Sequence, residues 1–290
     1  QKLYQELMLI YKSFAKINWA LSVLKKRDDG YHDILSLIHA IDLHDTITFE
    51  PYDKLEVKIN LPISKEENIV YWAAKTLKDH CKVEDGVLIK IEKEIPTASG
   101  LGGGSSNAAV TLKALNKFWN LNLSLEKLKE IAVSVGSDVP FFFHLPIALV
   151  EGKGDIVRPL QIEKVYTLLV VKPSFGISTK FAYESLRLKE DLTEKYEKIN
   201  NNIWQLYKNL CEGKIEKIKI WNDFEKILLN SFPEVEEIKK KLIKAGAILS
   251  LMSGSGSAVF GVFEDDEKAK VAATVFKGKY WCRVVHTLTS

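Results

Sequence analysis

The chain has 290 residues, of which 46% are hydrophobic and 27% charged, enough apolar material for two packed domains. The formal net charge is only +3, and the lysines are scattered among acidic residues, which argues against the basic stripe of a nucleic-acid-binding protein. The longest apolar run, residues 139–150, is too short for a bilayer span and contains His144 and Pro146, so we expect neither a nucleic-acid nor a membrane partner.

The cysteine pattern and the first residues bear on where the protein works. Cys81, Cys211 and Cys282 lie far apart and lack the CxxC spacing of metal sites, which predicts reduced thiols and a place in the bacterial cytoplasm. Residues 1–7 have no signal-peptide character, and we expect the natural chain to start at Met8.

The first part of the chain mixes strands and helices. Apolar residues alternate with polar or small ones from Phe14 to Val23, which predicts a strand with Lys16 and Asn18 on one face. The Asp-Gly turn in residues 27–32 leads into a second strand that continues through Phe49. Further along, the patterns predict a helix over 68–80 with Asn68 as N-cap, a strand over 87–95, a helix after the glycine-rich stretch, and a helix over 124–136.

The second part continues without regular βαβ alternation. We predict strands within 148–160 and 165–173, helices near 178–186, 201–211, 222–230 and 234–244, a hairpin over 247–263, a helix from about Asp265, and a last strand within 281–288. This mixture favours an α+β fold of two domains, which we place at residues 8–160 and 161–290.

Residues 96–109, PTASGLGGGSSNAA, form a strand-to-loop-to-helix junction with very few side chains. Glycines let backbone N–H groups approach a ligand, and the first turn of a helix offers unpaired N–H groups at a positive dipole end, a combination that favours an anion. The stretch is not a Walker A loop, because no lysine follows the glycines. It also matches the dinucleotide fingerprint poorly, because Ser105 stands at the third glycine position.

The pattern resembles the phosphate loop of the GHMP kinases, the superfamily of galactokinase, homoserine kinase and mevalonate kinase. Members of the superfamily also carry a small-residue hairpin near the C-terminal end, which residues 252–261, MSGSGSAVFG, match. The resemblance implies two α+β domains with the active site in the cleft between them, and ATP with Mg²⁺ as cofactors. It assigns the nucleotide phosphates to Pro96, Gly100, Leu101, Gly102, Gly103, Gly104, Ser105, Ser106 and Asn107, with Ser106 as a candidate Mg²⁺ ligand.

Four segments, AKINWAL, DGYH, GLGGGSSNAA and GSDVPFF, resemble in order and spacing the members that phosphorylate a methylerythritol linked to cytidine diphosphate. This likeness implies a small-molecule acceptor alcohol, the non-mevalonate route to isoprenoid precursors, and a monomer or weak homodimer.

The same likeness implies roles for individual side chains. Asp138 matches the base that takes the hydroxyl proton, and Lys16 matches the cation beside it. The likeness implies that Asn18 orients the substrate and that Tyr31 and His32 stack on cytosine and bind its polar edge. Phe181 and Tyr183 would cover the opposite face of the base, with Phe175 as an alternative. Gly254 and Ser255, in the hairpin, are the other implied substrate residues.

Other interpretations remain open on the residues alone. Local sequence favours Asp138 as the N-cap of a short helix that contains Pro140, and Tyr31 and His32 could pack behind a turn. A GHMP kinase acting on homoserine or mevalonate, or a nucleotide-binding protein without catalysis, would share the glycine-rich loop.

Overall fold

The computed structural model describes residues 8–62, 64, 68–186 and 192–290. The expectation that the natural chain starts at Met8 concerns residues 1–7, which lie outside this range. The described residues form two compact units, each assembled from separate segments: the first from residues 8–15, Leu43–Ile95 and Gly102–Phe143, the second from Lys16–Asp42, Pro96–Leu101 and His144–Ser290. The sequence analysis divides the chain into two consecutive domains at residue 160, whereas each of these units combines separate segments. The two-domain boundary stays a prediction.

The described elements confirm the α+β class. The strands are β1 (Leu9–Lys26), β2 (His32–Tyr52), β3 (Leu55–Ile59), β4 (Gly86–Glu92), β5 (Ile147–Gly152), β6 (Ile156–Leu160), β7 (Thr167–Lys172), β8 (Trp221–Asn222), β9 (Leu249–Met252), β10 (Val259–Phe263) and β11 (Trp281–His286). The α-helices are α1 (Ile69–Cys81), α2 (Gly103–Phe118), α3 (Leu125–Val135), α4 (Thr179–Ser185), α5 (Tyr196–Cys211), α6 (Glu225–Ser231), α7 (Pro233–Lys244) and α8 (Asp266–Ala273), with 3₁₀ turns at Pro140–Phe143, Leu192–Lys195 and Ile215–Lys217. In the part of the chain that the structure describes, no helix is long and apolar enough to cross a membrane.

The first unit packs α1, α2 and α3 together beside a sheet. Within it, the end of β2 pairs antiparallel with β4, and β4 pairs parallel with β3. Asn68 accepts a hydrogen bond from the N–H of Val70 and caps α1, as the sequence predicts. The buried residues of α1 recur at helical spacing, Val70, Ala73, Ala74 and Leu77, so this face of the helix lies in the core.

The second unit contains two groups of strands. The first half of β2 pairs with β5, β5 pairs with β6, and the two-residue β8 lies parallel to β1 at Ala20 and Leu21. The other group is a four-stranded antiparallel sheet in the order β11, β7, β10, β9. The loop between β9 and β10 is the small-residue hairpin that the sequence singled out.

Several predicted boundaries differ from the observed ones, and β1, predicted from Phe14 to Val23, runs from Leu9 to Lys26. β4 ends at Glu92 rather than at residue 95, because the N–H groups of Glu94 and Ile95 donate to the carboxylate of Asp45 instead of to a strand. The helix predicted from residue 222 begins at Glu225, since Asn222 belongs to β8. The helix predicted from residue 201 begins earlier, at Tyr196.

Candidate active site

The glycine-rich stretch enters the second unit as Pro96–Leu101, where it contacts the β9–β10 loop directly. Gly100 has φ +76°, and a Cβ atom there would lie 1.9 Å from the carbonyl oxygen of Ser253. The N–H of Ala258 donates to the carbonyl of Ser99 at 2.9 Å, and Ser253 Oγ donates to the carbonyl of Gly100 at 3.1 Å. Only glycine fits position 100, because both the backbone conformation and the close approach exclude a side chain.

Lys16 and Asn18 lie on one face of β1, as the alternation predicts, and both are buried. Lys16 Nζ donates to Asn18 Oδ1 and to the carbonyl of Gly100, each at 2.6 Å. Asn18 in turn donates to Ser36 Oγ at 2.8 Å, which fixes the side-chain amide. The network therefore holds the Lys16 ammonium at the glycine-rich stretch.

Gly254 also lies close to the Lys16 ammonium, and its neighbours fix the shape of the β9–β10 loop. A Cβ atom at Gly254 would lie 2.9 Å from Lys16 Nζ, and φ is +53°. Asn222 Nδ2 donates to the carbonyls of Met252 and Gly254 at 2.8 and 2.7 Å, so a side chain from β8 braces this loop. Ser255 Oγ lies 3.1 Å from Thr179 Oγ1, which joins the loop to the start of α4.

In the first unit, α2 begins at Gly103 without a side-chain cap and with no acidic residue in its first turn. The first bond within the helix runs from the N–H of Ser106 to the carbonyl of Gly102 at 2.9 Å. The N–H groups of Gly103, Gly104 and Ser105 therefore have no partner in the helix and present donors at its positive end. This arrangement fits the phosphates of a nucleotide.

Ser106 and Asn107 point into the unit and are buried. Ser13 Oγ lies 2.7 Å from Ser106 Oγ and 2.9 Å from Asn107 Oδ1, and a single hydroxyl proton serves one acceptor at a time. The network anchors the first turn of α2 on β1. The Ser106 oxygen, the predicted Mg²⁺ ligand, is thus almost fully buried and hydrogen-bonded to Ser13.

The Asp45–Lys93 ion pair is a buried feature that the sequence analysis missed. Asp45 is fully buried, and its carboxylate accepts from Lys93 Nζ and from the N–H groups of Glu94 and Ile95. A Cβ atom at Gly103 would lie 3.0 Å from Lys93 Nζ and 2.9 Å from Ile95 Cγ2, so the glycine there allows α2 to start against this pair. Asp45 and Lys93 are 48 residues apart, and no local pattern signals their contact.

Asp138 lies in the turn that precedes the 3₁₀ helix Pro140–Phe143, and its side chain is exposed. The 3₁₀ helix is fully buried and is joined to α2 by Lys113, whose Nζ donates to the carbonyl of Phe142 at 3.0 Å. Asp138 thus combines an accessible carboxylate with a rigidly packed support. Its catalytic role stays a proposal.

Two of the predicted aromatic residues, His32 and Tyr183, stack directly on each other in the second unit instead of forming two separate walls. His32 is buried and stacks on Tyr183, with ring centroids 4.9 Å apart and planes at 24°. Phe224 contacts Tyr183 edge to face at 4.9 Å. Burial and the charge of Lys26 lower the pKa of His32, so the imidazole is neutral at pH 7 and offers one donor and one acceptor.

Tyr31 and the two phenylalanines lie outside that stack. Tyr31 is 51% exposed, with Lys153 Nζ 4.9 Å from its ring centroid. Phe181 is 44% exposed and meets Phe232 edge to face, whereas Phe175 stacks on Phe232 at 5.3 Å. Of the three aromatic residues considered for the opposite wall, Tyr183 is the one that contacts His32.

The side chains that most often bind metal ions do not cluster in the described ranges. Among those residues no group of three histidine, cysteine, aspartate or glutamate side chains could hold a metal ion. The assignment of Ser106 as a Mg²⁺ ligand stays a prediction.

Comparisons with known proteins agree with this arrangement. The model of the GHMP kinases N terminal domain matches residues 68–144, and that of the GHMP kinases C terminal domain matches residues 206–280. A 4-diphosphocytidyl-2-C-methyl-D-erythritol kinase from Thermodesulfovibrio yellowstonii is 59% identical over 97% of this chain and 98% of its own length. A protein of the same name from Thermoanaerobacter pseudethanolicus is 40% identical over 93% of this chain and 92% of its own length.

The solved structures give the same result for the fold. A crystal structure of 4-(cytidine 5'-diphospho)-2C-methyl-D-erythritol kinase superimposes with a TM-score of 0.82 at 30% identity, covering 97% of this chain and all of that one. The chain therefore belongs to the GHMP kinase family, in the group of the 4-diphosphocytidyl-2-C-methyl-D-erythritol kinases, and is an ATP-dependent small-molecule kinase.

Proposed function

We propose that this kinase transfers the γ-phosphoryl group of ATP to the 2-hydroxyl of 4-diphosphocytidyl-2-C-methyl-D-erythritol, giving the 2-phosphate and ADP. The assignment of the substrate rests on the 59% identity, over nearly the full length of both chains, to a relative that bears this substrate in its name. The reaction belongs to the non-mevalonate route to isoprenoid precursors.

The start of α2 supports the nucleotide half of the proposal. Its uncapped N–H groups would bind the phosphates of ATP, and the Ser13 network would hold the first turn in place while charge moves on the phosphoryl oxygens. Mg²⁺, when bound, would neutralise part of the phosphate charge, and the Ser106 oxygen would help to hold it.

Lys16 and Asp138 are the residues that we assign to proton transfer from the acceptor hydroxyl. We assign Asp138 as the base that accepts the proton of the acceptor hydroxyl, since its carboxylate is accessible and supported by a buried turn. Lys16, held by Asn18 and Gly100, would stabilise the developing alkoxide. Transfer would be direct and in line, without a covalent enzyme intermediate.

The aromatic residues around His32 support the proposed binding of the cytidine group of the substrate. A ring separation of 4.9 Å leaves no room for a base between His32 and Tyr183, so cytosine would stack on Tyr31 or move the Tyr183 ring aside. Neutral His32 offers one donor and one acceptor, which suits the polar edge of cytosine.

The test is turnover of the cytidylated alcohol by the wild type and by Asp138→Asn, with Mg²⁺ and with a chelator. We expect turnover in the wild type, loss on chelation, and a fall in kcat of at least about 10²-fold in the variant with unchanged binding of the alcohol. Turnover of homoserine or mevalonate in place of the cytidylated alcohol would refute the substrate. Full activity in Asp138→Asn would refute the base.

A further inference from the structure

The exposed ring of Tyr31 has a cation on one side. Lys153 lies in the turn between β5 and β6, and its Nζ is 4.9 Å from the Tyr31 ring centroid, within the range of a cation–π interaction. Tyr31 is nevertheless 51% exposed, so a large part of the ring remains open to a ligand.

The backbone on both sides of this contact is fixed. The N–H of Arg27 donates to the carbonyl of Tyr31 at 2.8 Å, and the N–H of Tyr31 donates to Asp29 Oδ1 at 3.1 Å. The N–H of Lys153 donates to Asp155 Oδ1 at 3.1 Å, which closes the β5–β6 turn. The lysine is therefore presented to the ring by a short, closed turn.

The charge of Lys153 also acts on Asp29, in the turn that holds the Tyr31 backbone. Burial acts to raise the pKa of Asp29, but the N–H of Tyr31, the Arg27 guanidinium and the charge of Lys153 together lower it. Lys153 therefore lies near enough to Asp29 to interact with it electrostatically, whereas Arg27 forms ion pairs with both Asp29 and Asp33.

We propose that Lys153 is a positioning residue for the acceptor: its ammonium holds the Tyr31 ring from one side, so that the opposite face is presented to the base of the substrate. The inference rests on the proposed function, since it needs a base that stacks on Tyr31. A flat ring held on one side loses less freedom when a second flat ring stacks on it, and this lowers the KM for the acceptor without touching the transfer step.

The test compares Lys153→Met and Lys153→Arg with the wild type, each alone and in a Tyr31→Leu background. Lys270→Met, on the exposed side of α8, is the control for loss of one positive charge. We expect Lys153→Met to raise the acceptor KM about two- to fivefold with kcat and the KM for ATP unchanged. Lys153→Arg should keep the wild-type KM, and Lys153→Met should have no further effect once Tyr31 is leucine.

Other results would overturn the inference. An unchanged or lower acceptor KM in Lys153→Met would show that the cation does not assist stacking or blocks the face the base needs. An equal rise in KM in the Tyr31→Leu background would show that Lys153 contacts the substrate directly. Turnover by the wild type and its binding of cytidine 5'-diphosphate are measured in the same series. If the wild type lacks both, the proposed function is refuted together with the inference. If the wild type has both, the Lys153 variants decide the inference alone.

Discussion

Replacing Gly100 with alanine tests how the two small-residue loops of the second unit fit together. The new Cβ atom would lie 1.9 Å from the carbonyl oxygen of Ser253 and 2.9 Å from the nitrogen of Gly256, both of them backbone atoms that cannot rotate away. The substitution also places alanine at φ +76°, a conformation that costs an L-residue about 1–2 kcal/mol.

Gly278 provides a matched control for the backbone conformation. Its φ is +82°, and nothing lies within 4 Å of the position of its Cβ atom, so Gly278→Ala pays the conformational cost alone. In Gly100→Ala the loops must also move apart, which costs about 1–3 kcal/mol for overpacking and about 1–2 kcal/mol for weakened hydrogen bonds at the Gly100 carbonyl. We expect Gly100→Ala to lower the free energy of unfolding by about 3 kcal/mol more than Gly278→Ala.

Urea unfolding followed by circular dichroism measures the difference, and ATP-dependent turnover is assayed on the same samples. Because the Gly100 carbonyl accepts from Lys16 Nζ, Gly100→Ala should also lose kinase activity under conditions where it remains folded, whereas Gly278→Ala should keep it. Equal stability and equal activity of the two variants would show that the contact between the loops does not constrain position 100.

Two other changes test buried ionisable side chains. Asp45→Asn leaves the Lys93 ammonium buried without its anion and should lower the free energy of unfolding by about 3–5 kcal/mol in thermal or urea unfolding. Replacing both residues by apolar ones of similar size should cost less, because no buried charge is left unpaired. A loss below about 1 kcal/mol in Asp45→Asn would contradict the buried pair. Burial lowers the pKa of His39 to about 4, and the neutral ring accepts from Trp19 Nε1 and donates to the carbonyl of Leu288. Because the unfolded chain binds this proton more tightly, His39 contributes stability above pH 6.5 that is lost as the pH falls towards 4, by up to about 3 kcal/mol. His39→Gln should therefore flatten the fall in urea midpoint between pH 6.5 and 4, and an unchanged pH profile would contradict the assignment.

Local sequence was sufficient where structure depends on neighbours along the chain. Asn68 predicts the start of α1, and the alternation around Lys16 and Asn18 predicts both the strand and their common face. The glycines and alanines of residues 100–109 predict the loop-to-helix junction at which α2 starts, since the conformational freedom of glycine and the propensity of alanine act within one turn. The likeness to a kinase family also came from such contiguous segments.

Tertiary structure decided the contacts between distant residues. Gly100 must be glycine because of Ser253, and Asp45 ends β4 by binding the N–H groups of Glu94 and Ile95. The choice of Tyr183 over Phe175 as the partner of His32 likewise depends on where α4 packs, and no periodicity contains that information. Each of these contacts joins residues tens to hundreds of positions apart, so it follows from the packing of whole strands and helices, which single-residue propensities and local spacing do not specify.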